Sequence, residues 1–221
     1  MTGHVLVMAK APIAGRVKTR LCPPCTPTEA AEIAAAALSD TLDAVAACGA
    51  PKKIIALEGP PGPWLPCGFE LIAQRGGDLA ERLAWAWADA GGPGIQIGMD
   101  TPQVRPGELD GLLESLRGGE RGAGGGRRRR AVLGHAADGG WWVIGFDGVD
   151  PSSVFRGIPM STGSTGRHQE RRLRQLGMEI VLAGVHRDID TAEDLAEVAA
   201  LVPGSRTESA AAALGLVRQV A

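Results

Sequence analysis

The 221-residue chain predicts an α/β protein in which a mostly parallel sheet is covered by helices on both faces. Two observations carry that expectation. Short apolar runs of strand length recur along the chain, and helix-length stretches with one apolar face separate them. Those runs are continuous in place of alternating, as strands buried on both faces require. At 44% hydrophobic residues the chain is long enough for one substantial core and short for two, so a single domain over residues 1–221 is expected.

The elements follow in order. Residues 4–9, "HVLVMA", are apolar and β-branched enough for a buried strand. "TPTEAAEIAAAALSDTLDAVAACG" is an alanine-rich helix that Thr26 or Thr28 can cap and Gly49 can end. "KKIIAL" at 52–57 is the next strand, "GPPGPWLPCG" a proline-stiffened loop and "FELIAQ" at 69–74 a short strand. In "GDLAERLAWAWADAGG", Leu79, Leu83, Ala86 and Trp87 fall on one helical face. "GIQIGMD" at 94–100 is an apolar run ending in an acid, and 106–116 a helix. "GGERGAGGGRRRR" at 118–130 is a low-complexity stretch that can bury no core and reads as a flexible insertion. "AVLGHA" and "WWVIGF" are strands, 167–176 a basic helix, and "MEIVLA" a strand. Thr191 opens a further helix, and "SRTESAAAALGLVRQV" closes the chain as an amphipathic one.

Charge narrows the function classes. Lys and Arg number 23 against 25 Asp and Glu, so no global field draws the protein to nucleic acid or an anionic membrane. The amino-terminal apolar run is shorter than a signal-peptide core or membrane span, and a cytoplasmic protein is expected. Cys22 and Cys25 form "CPPC" with no second CxxC or HxxxH to complete a zinc cage, so loop and core thiols are expected. The four histidines have no visible catalytic partner.

In parallel α/β folds ligands sit beyond the carboxyl ends of the strands, so the polar residues that matter are those following a strand. Four groups qualify. The first is "AKAPIAGRVKTRL" (9–21), where Lys10, Arg16, Lys18 and Arg20 surround Gly15; it is neither a Walker A nor a Rossmann loop, and an anion site and a solvated basic loop both fit. The second is Asp100 in "GMDTP", either a turn-former or a ligand for a hard cation. The third is "RDIDTAED", where Asp188 and Asp190 project to one side if 187–190 is extended; Asp190 can also cap the next helix with Glu193 as reciprocal partner. The fourth is Asp138-Gly139-Gly140 before Trp141 and Trp142, an ordinary hairpin signal whose glycines would also let a substrate approach the backbone, with one tryptophan expected in the core and one partly exposed.

These groups, in this order, resemble the nucleotide-diphospho-sugar transferase superfamily, and more narrowly a bacterial family of glycosyltransferase-like proteins close to the phospholactate guanylyltransferases. The resemblance runs through "VLVMAKAPIAGRVKTRL", "QRGGDLAERL", "IGMDTPQV", "VLGHAADGGWWVIGF", "VFRGIPMST" and "DIDTAEDL". It implies the GT-A fold, a three-layer α/β/α sandwich with a twisted sheet. It implies nucleotide binding by Ala9, Lys10, Gly15, Arg16 and Lys18, with Gln74, Gly77 and Asp78 on the nucleoside side. Asp100 and Asp190 match metal-binding acids, for Mg²⁺ or Mn²⁺, and Asp138, Gly139, Gly140 and Trp141 match an acceptor-side loop. Arg16, Lys18 and Asp100 would carry the chemistry. The family favours tyrosine after the double glycine, where this chain has Trp141 and no tyrosine anywhere.

The reading that results is a Mg²⁺-dependent transferase using a nucleoside triphosphate or nucleotide sugar and a small acceptor, with nucleotidyl transfer and pyrophosphate release preferred. Phosphoryl chemistry is mainly positioning and charge stabilisation, so no dedicated nucleophile is needed. Glycosyl transfer from a nucleotide sugar is the alternative, and a nucleotide-binding module without turnover is the alternative of another class.

Overall fold

A computed structural model describes residues 3–117 and 129–216. Its strands are β1 (His4–Lys10), β2 (Lys52–Glu58), β3 (Glu70–Ala73), β4 (Gly94–Gly98), β5 (Arg130–His135), β6 (Trp141–Phe146) and β7 (Glu179–Leu182). The helices are α1 (Pro27–Ala47), α2 (Leu79–Ala90), α3 (Pro106–Ser115), α4 (Pro151–Phe155), α5 (Thr165–Gln175), α6 (Ala192–Leu201) and α7 (Arg206–Ala213), with a 3-10 turn at Thr19–Leu21. The strands form one sheet in the order β3-β2-β1-β4-β6-β5-β7.

Pairing is parallel for β1 with β2 and β4, β2 with β3, and β5 with β7. Only β6 runs against its neighbours β4 and β5, because the Asp138–Gly140 turn sends the chain straight back beside β5. The start of β6 therefore lies on the same sheet edge as the ends of β1, β4 and β5. The order reverses between β1 and β4, and that is where a crevice opens in such folds.

The central strands alternate between two cores. Val5, Val7, Ile95 and Ile97 pack against Leu38 and Leu42 of α1 and Leu109, Leu112 and Leu113 of α3. On the opposite face Leu6 and Ile54 meet Ala86 and Ala90 of α2, while Leu133 and Phe146 meet Trp87 of α2, Phe155 of α4 and Leu173 of α5. The helices α6 and α7 lie on the outer side of α1, where Leu195, Val198 and Ala211 pack with Ile33 and Ala37. Burying a Leu or Ile side chain in such a cluster stabilises by about 1.5–3 kcal/mol.

The element readings stand with local corrections. The closing helix read over 205–220 spans Arg206–Ala213, and residues 217–220 of that stretch lie outside the described residues. Thr26 caps α1 and shares a capping box with Glu29. The helix ends in an extended Cys48 and not at Gly49, whose N–H instead donates to Asp110 Oδ1 at 2.8 Å. Arg130 belongs to β5, so the Gly/Arg-rich stretch read as 118–130 stops short of it, and residues 118–128 lie outside the described residues. The short helix α4 was not foreseen; Asp150 caps it through the Ser152 N–H. Trp142 is buried and Trp141 half-buried, as expected. No helix among the described residues is long and apolar enough to cross a membrane.

Candidate active site

At the carboxyl edge of β1 and β4 lies a cleft of about 480 Å³. Ala9, Lys10, Arg16, Lys18, Gln74, Asp100, Asp138, Gly140, Trp141 and Asp190 line it, as do Arg20, Arg82 and Asp188. Gly15, Gly77, Asp78 and Gly139, also assigned to the site from sequence, lie outside this lining. Their roles are local. Gly15 supplies a left-handed turn at φ 75°, and Asp78 caps α2 in a capping box with Glu81. Gly139, at φ 87°, lies against the Gly163 carbonyl where a Cβ would collide.

The basic loop is anchored at both ends. The Ala11 N–H donates to Glu58 O at 2.8 Å, and Val17 is buried in the core under α1. Arg16 on one side of Val17 is exposed, whereas Lys18 on the other turns inward with a side chain only 9% exposed. Lys18 itself takes the left-handed conformation, φ 48°, which a non-glycine residue adopts only where surrounding structure enforces it.

The Lys18 ammonium bridges the acids. It donates to Asp100 Oδ2 and, at 3.3 Å, to Asp190 Oδ1, and Arg20 Nη1 reaches the other Asp190 oxygen at 2.9 Å. Burial would lower the Lys18 pKa, but Asp100 and Asp190 outweigh it and raise it. The loop that reads as a phosphate cradle thus holds carboxylates through Lys10, Lys18 and Arg20, and Arg16 is the one of its four cations without an ion-pair partner among the described residues.

The second acid segment is placed by alternation. Ile189 is buried in the cluster between α1 and α6, which forces Asp188 and Asp190 to the same, cleft-facing side. The cap of α6 is Thr191 with Asp194, and not Asp190 with Glu193. Asp190 therefore keeps its oxygens for the cleft. Gln103 Nε2 donates to Arg187 O at 2.7 Å, tying this segment to the loop after β4. Burial pushes the Asp188 carboxyl well above the ordinary range, and the neighbouring Asp100 adds to it while Lys18 opposes.

Sequence reasoning missed Arg82, because it projects from inside α2 and not from the end of a strand. Its Nη1 donates to Glu58 Oε2 at 2.6 Å, beside Lys10 Nζ at 3.4 Å from the same oxygen. Gln74 gives both its N–H donations to backbone carbonyls, Ala9 O at 2.8 Å and Ala56 O at 2.9 Å. Its Oε1 faces the other way and accepts from Arg82 Nη1 at 3.5 Å. The "QRGGDLAERL" stretch held the signal for Arg82, which lies in the first turn of α2 just beyond the loop from Gln74.

Across the cleft, Asp138 Oδ1 accepts from the Gly140 N–H at 2.7 Å and shapes the turn into β6. Trp141, Met160, Ser161, Thr162 and Thr165 complete that wall. Two histidines do have acidic partners, His135 with Glu170 at 3.1 Å and His186 with Glu108 at 3.0 Å, but neither lines the cleft.

The sheet that reverses its order at this cleft has the fold of solved nucleotide-diphospho-sugar transferases. It matches a Desulfovibrio desulfuricans G20 protein classed as such, with a TM-score of 0.79 and 25% identity over 96% of this chain and 94% of that one. A CMP:2-keto-3-deoxy-manno-octonic acid synthetase solved with CTP shares the fold at a TM-score of 0.55 and 14% identity, over 91% of this chain and 98% of that one. The chain belongs to the family described as "uncharacterized protein conserved in bacteria" (DUF2064), which matches residues 30–162. It is 32% identical over 209 residues to the phosphoenolpyruvate guanylyltransferase of Streptosporangium roseum, 86% of this chain and 82% of that protein. The Streptosporangium roseum and Desulfovibrio desulfuricans proteins are both transferases by name.

Proposed function

We propose that the protein is a Mg²⁺-dependent nucleotidyltransferase that moves a nucleoside monophosphate from a triphosphate to a small acceptor and releases pyrophosphate. The observation that carries this is Lys18, a buried cation held between Asp100 and Asp190 at the reversal point of the sheet. The similarity to a phosphoenolpyruvate guanylyltransferase makes GTP the first nucleotide, and a phosphorylated carboxylic acid the first acceptor, to test.

The donor set suits the ion. Two carboxylates converge on one ammonium, so a cation already occupies the space between them. Among the described residues no group of three or more His, Cys, Asp or Glu side chains could hold an ion unaided. Mg²⁺ is commonly held by one or two carboxylates plus substrate phosphates, and Asp100 and Asp190 supply that many. Bound there, the ion would neutralise phosphate charge and orient the chain of phosphates.

The chain's own groups do the rest. Arg16 and Lys18 would bind β- and γ-phosphate oxygens and stabilise charge developing on the departing pyrophosphate. Arg82 and Gln74 Oε1 would orient the nucleoside, and the wall from Asp138 to Trp141 would hold the acceptor on the far side of the α-phosphorus. The test is product analysis with each nucleoside triphosphate and candidate acceptor. Pyrophosphate release that depends on an acceptor is expected; nucleoside diphosphate release from a nucleotide sugar, without pyrophosphate from any triphosphate, would overturn the proposal in favour of glycosyl transfer.

A further inference from the structure

We infer that Lys18 is a resident counter-ion that keeps divalent metal off the Asp100/Asp190 pair until the phosphates of a nucleotide draw its ammonium away, so that metal enters with the nucleotide and not before it. The inference rests on the nucleotide-and-metal reading of the cleft and adds an order of loading to it.

Occupancy is the first ground. The ammonium donates to Asp100 Oδ2 and sits 3.3 Å from Asp190 Oδ1. Mg²⁺ needs its oxygens at roughly 2.0–2.1 Å, so ion and ammonium cannot both be seated on this pair. Charge is the second. Asp100 and Asp190 are met by Lys18 and Arg20, which leaves the two carboxylates compensated and gives a dication little to gain on its own. A divalent ion arriving alone would also meet the repulsion of an ammonium a few ångströms away.

Release follows from the same geometry. The backbone is anchored by Val17, buried at 6% exposure, and by the Lys18 O to Leu21 N–H bond at 2.9 Å. The loop therefore stays in place while the four-carbon side chain swings. Phosphate oxygens arriving beside Arg16 offer the ammonium an equivalent set of acceptors. Once it turns to them, Asp100 and Asp190 lose their compensating charge at the moment a phosphate-bound dication is delivered next to them.

The experiment measures Mn²⁺ binding to the full chain by the loss of the free-ion electron paramagnetic resonance signal, without turnover. Wild type is expected to bind Mn²⁺ weakly alone and, with a non-hydrolysable GTP analogue, to remove more free ion than the same analogue removes without protein. Lys18→Met, which keeps length and removes charge, is expected to bind Mn²⁺ alone on the order of tenfold more tightly than wild type. Adding Asp100→Asn to it should abolish the gain, and Lys18→Arg should exclude the ion as wild type does. If Lys18→Met misfolds by circular dichroism, Lys18→Gln takes its place in the same comparison. Lys18→Met binding Mn²⁺ no better than wild type, with nucleotide still bound by both, would overturn this inference alone. Failure of every nucleoside triphosphate analogue to bind would overturn both the release step and the proposed reaction.

Discussion

The strand β1 and the loop it feeds bury a titratable group near each end, with opposite results. At the start, His4 is 1% exposed, its Nδ1 donates to Gly91 O at 3.1 Å, and its pKa is lowered to about 4 by burial. Beyond the end, Lys18 is buried too, yet its pKa is raised, because Asp100 and Asp190 face it. Burial penalises charge in both places; at His4 the pull of Glu70 is offset by Lys52, whereas Asp100 and Asp190 outweigh burial at Lys18. The difference separates a core histidine from a candidate site, since a buried charge held by paired carboxylates in a cleft is a signal of function.

Breaking the charged end should have the largest effect. Asp100→Asn keeps the shape and removes one countercharge, and the rate of nucleotidyl transfer is expected to fall by on the order of 10³-fold, read as kcat/KM from pyrophosphate release. A loss below tenfold would remove Asp100 from the reaction.

The neutral end is tested by pH. A histidine that titrates near 4 when folded and near 6.5 when unfolded binds more protons unfolded between those values, so stability rises with pH across that window. The protein should therefore lose about 3 kcal/mol of folding stability between pH 7 and pH 4 through His4. Denaturant unfolding at several pH values would measure it, and His4→Gln should flatten that part of the profile.

Smaller effects sharpen the comparison within the cleft. Arg16 is exposed, so Arg16→Ala should leave the melting temperature unchanged while lowering kcat/KM for the triphosphate by about 10- to 100-fold, the worth of a charge-assisted hydrogen bond or two. Trp141→Ala, on the opposite wall, should raise the acceptor KM by about tenfold and leave the nucleotide KM within about twofold. A shift in nucleotide KM as large as the acceptor's would show that the two walls do not divide the substrates.

Much of this was readable from residue order. The alternation of Asp188, Ile189 and Asp190 correctly put both acids on one side, since a single extended segment decides it. Capping was legible in kind but not in partner: Thr191 and Asp194 took the role assigned to Asp190 and Glu193, because two equally spaced pairs compete and packing of Ile189 selects between them. Arg82 escaped notice since it lies inside a helix, and only the packing of α2 on the sheet brings its first turn to the cleft. The antiparallel course of β6, by contrast, was legible in the hairpin signal Asp138-Gly139-Gly140.

Local chemistry, then, was written in the chain: which runs are strands, which residues leave them, and that cations and acids gather at those exits. The folded arrangement alone decided that Lys18 pairs with Asp100 and Asp190, which lie 82 and 172 residues away along the chain. Propensity and periodicity act over a few neighbouring residues, whereas such a pairing depends on strand order and on burial summed over the whole sheet. The charge of a loop can be read from its letters, but its partner is chosen by the fold.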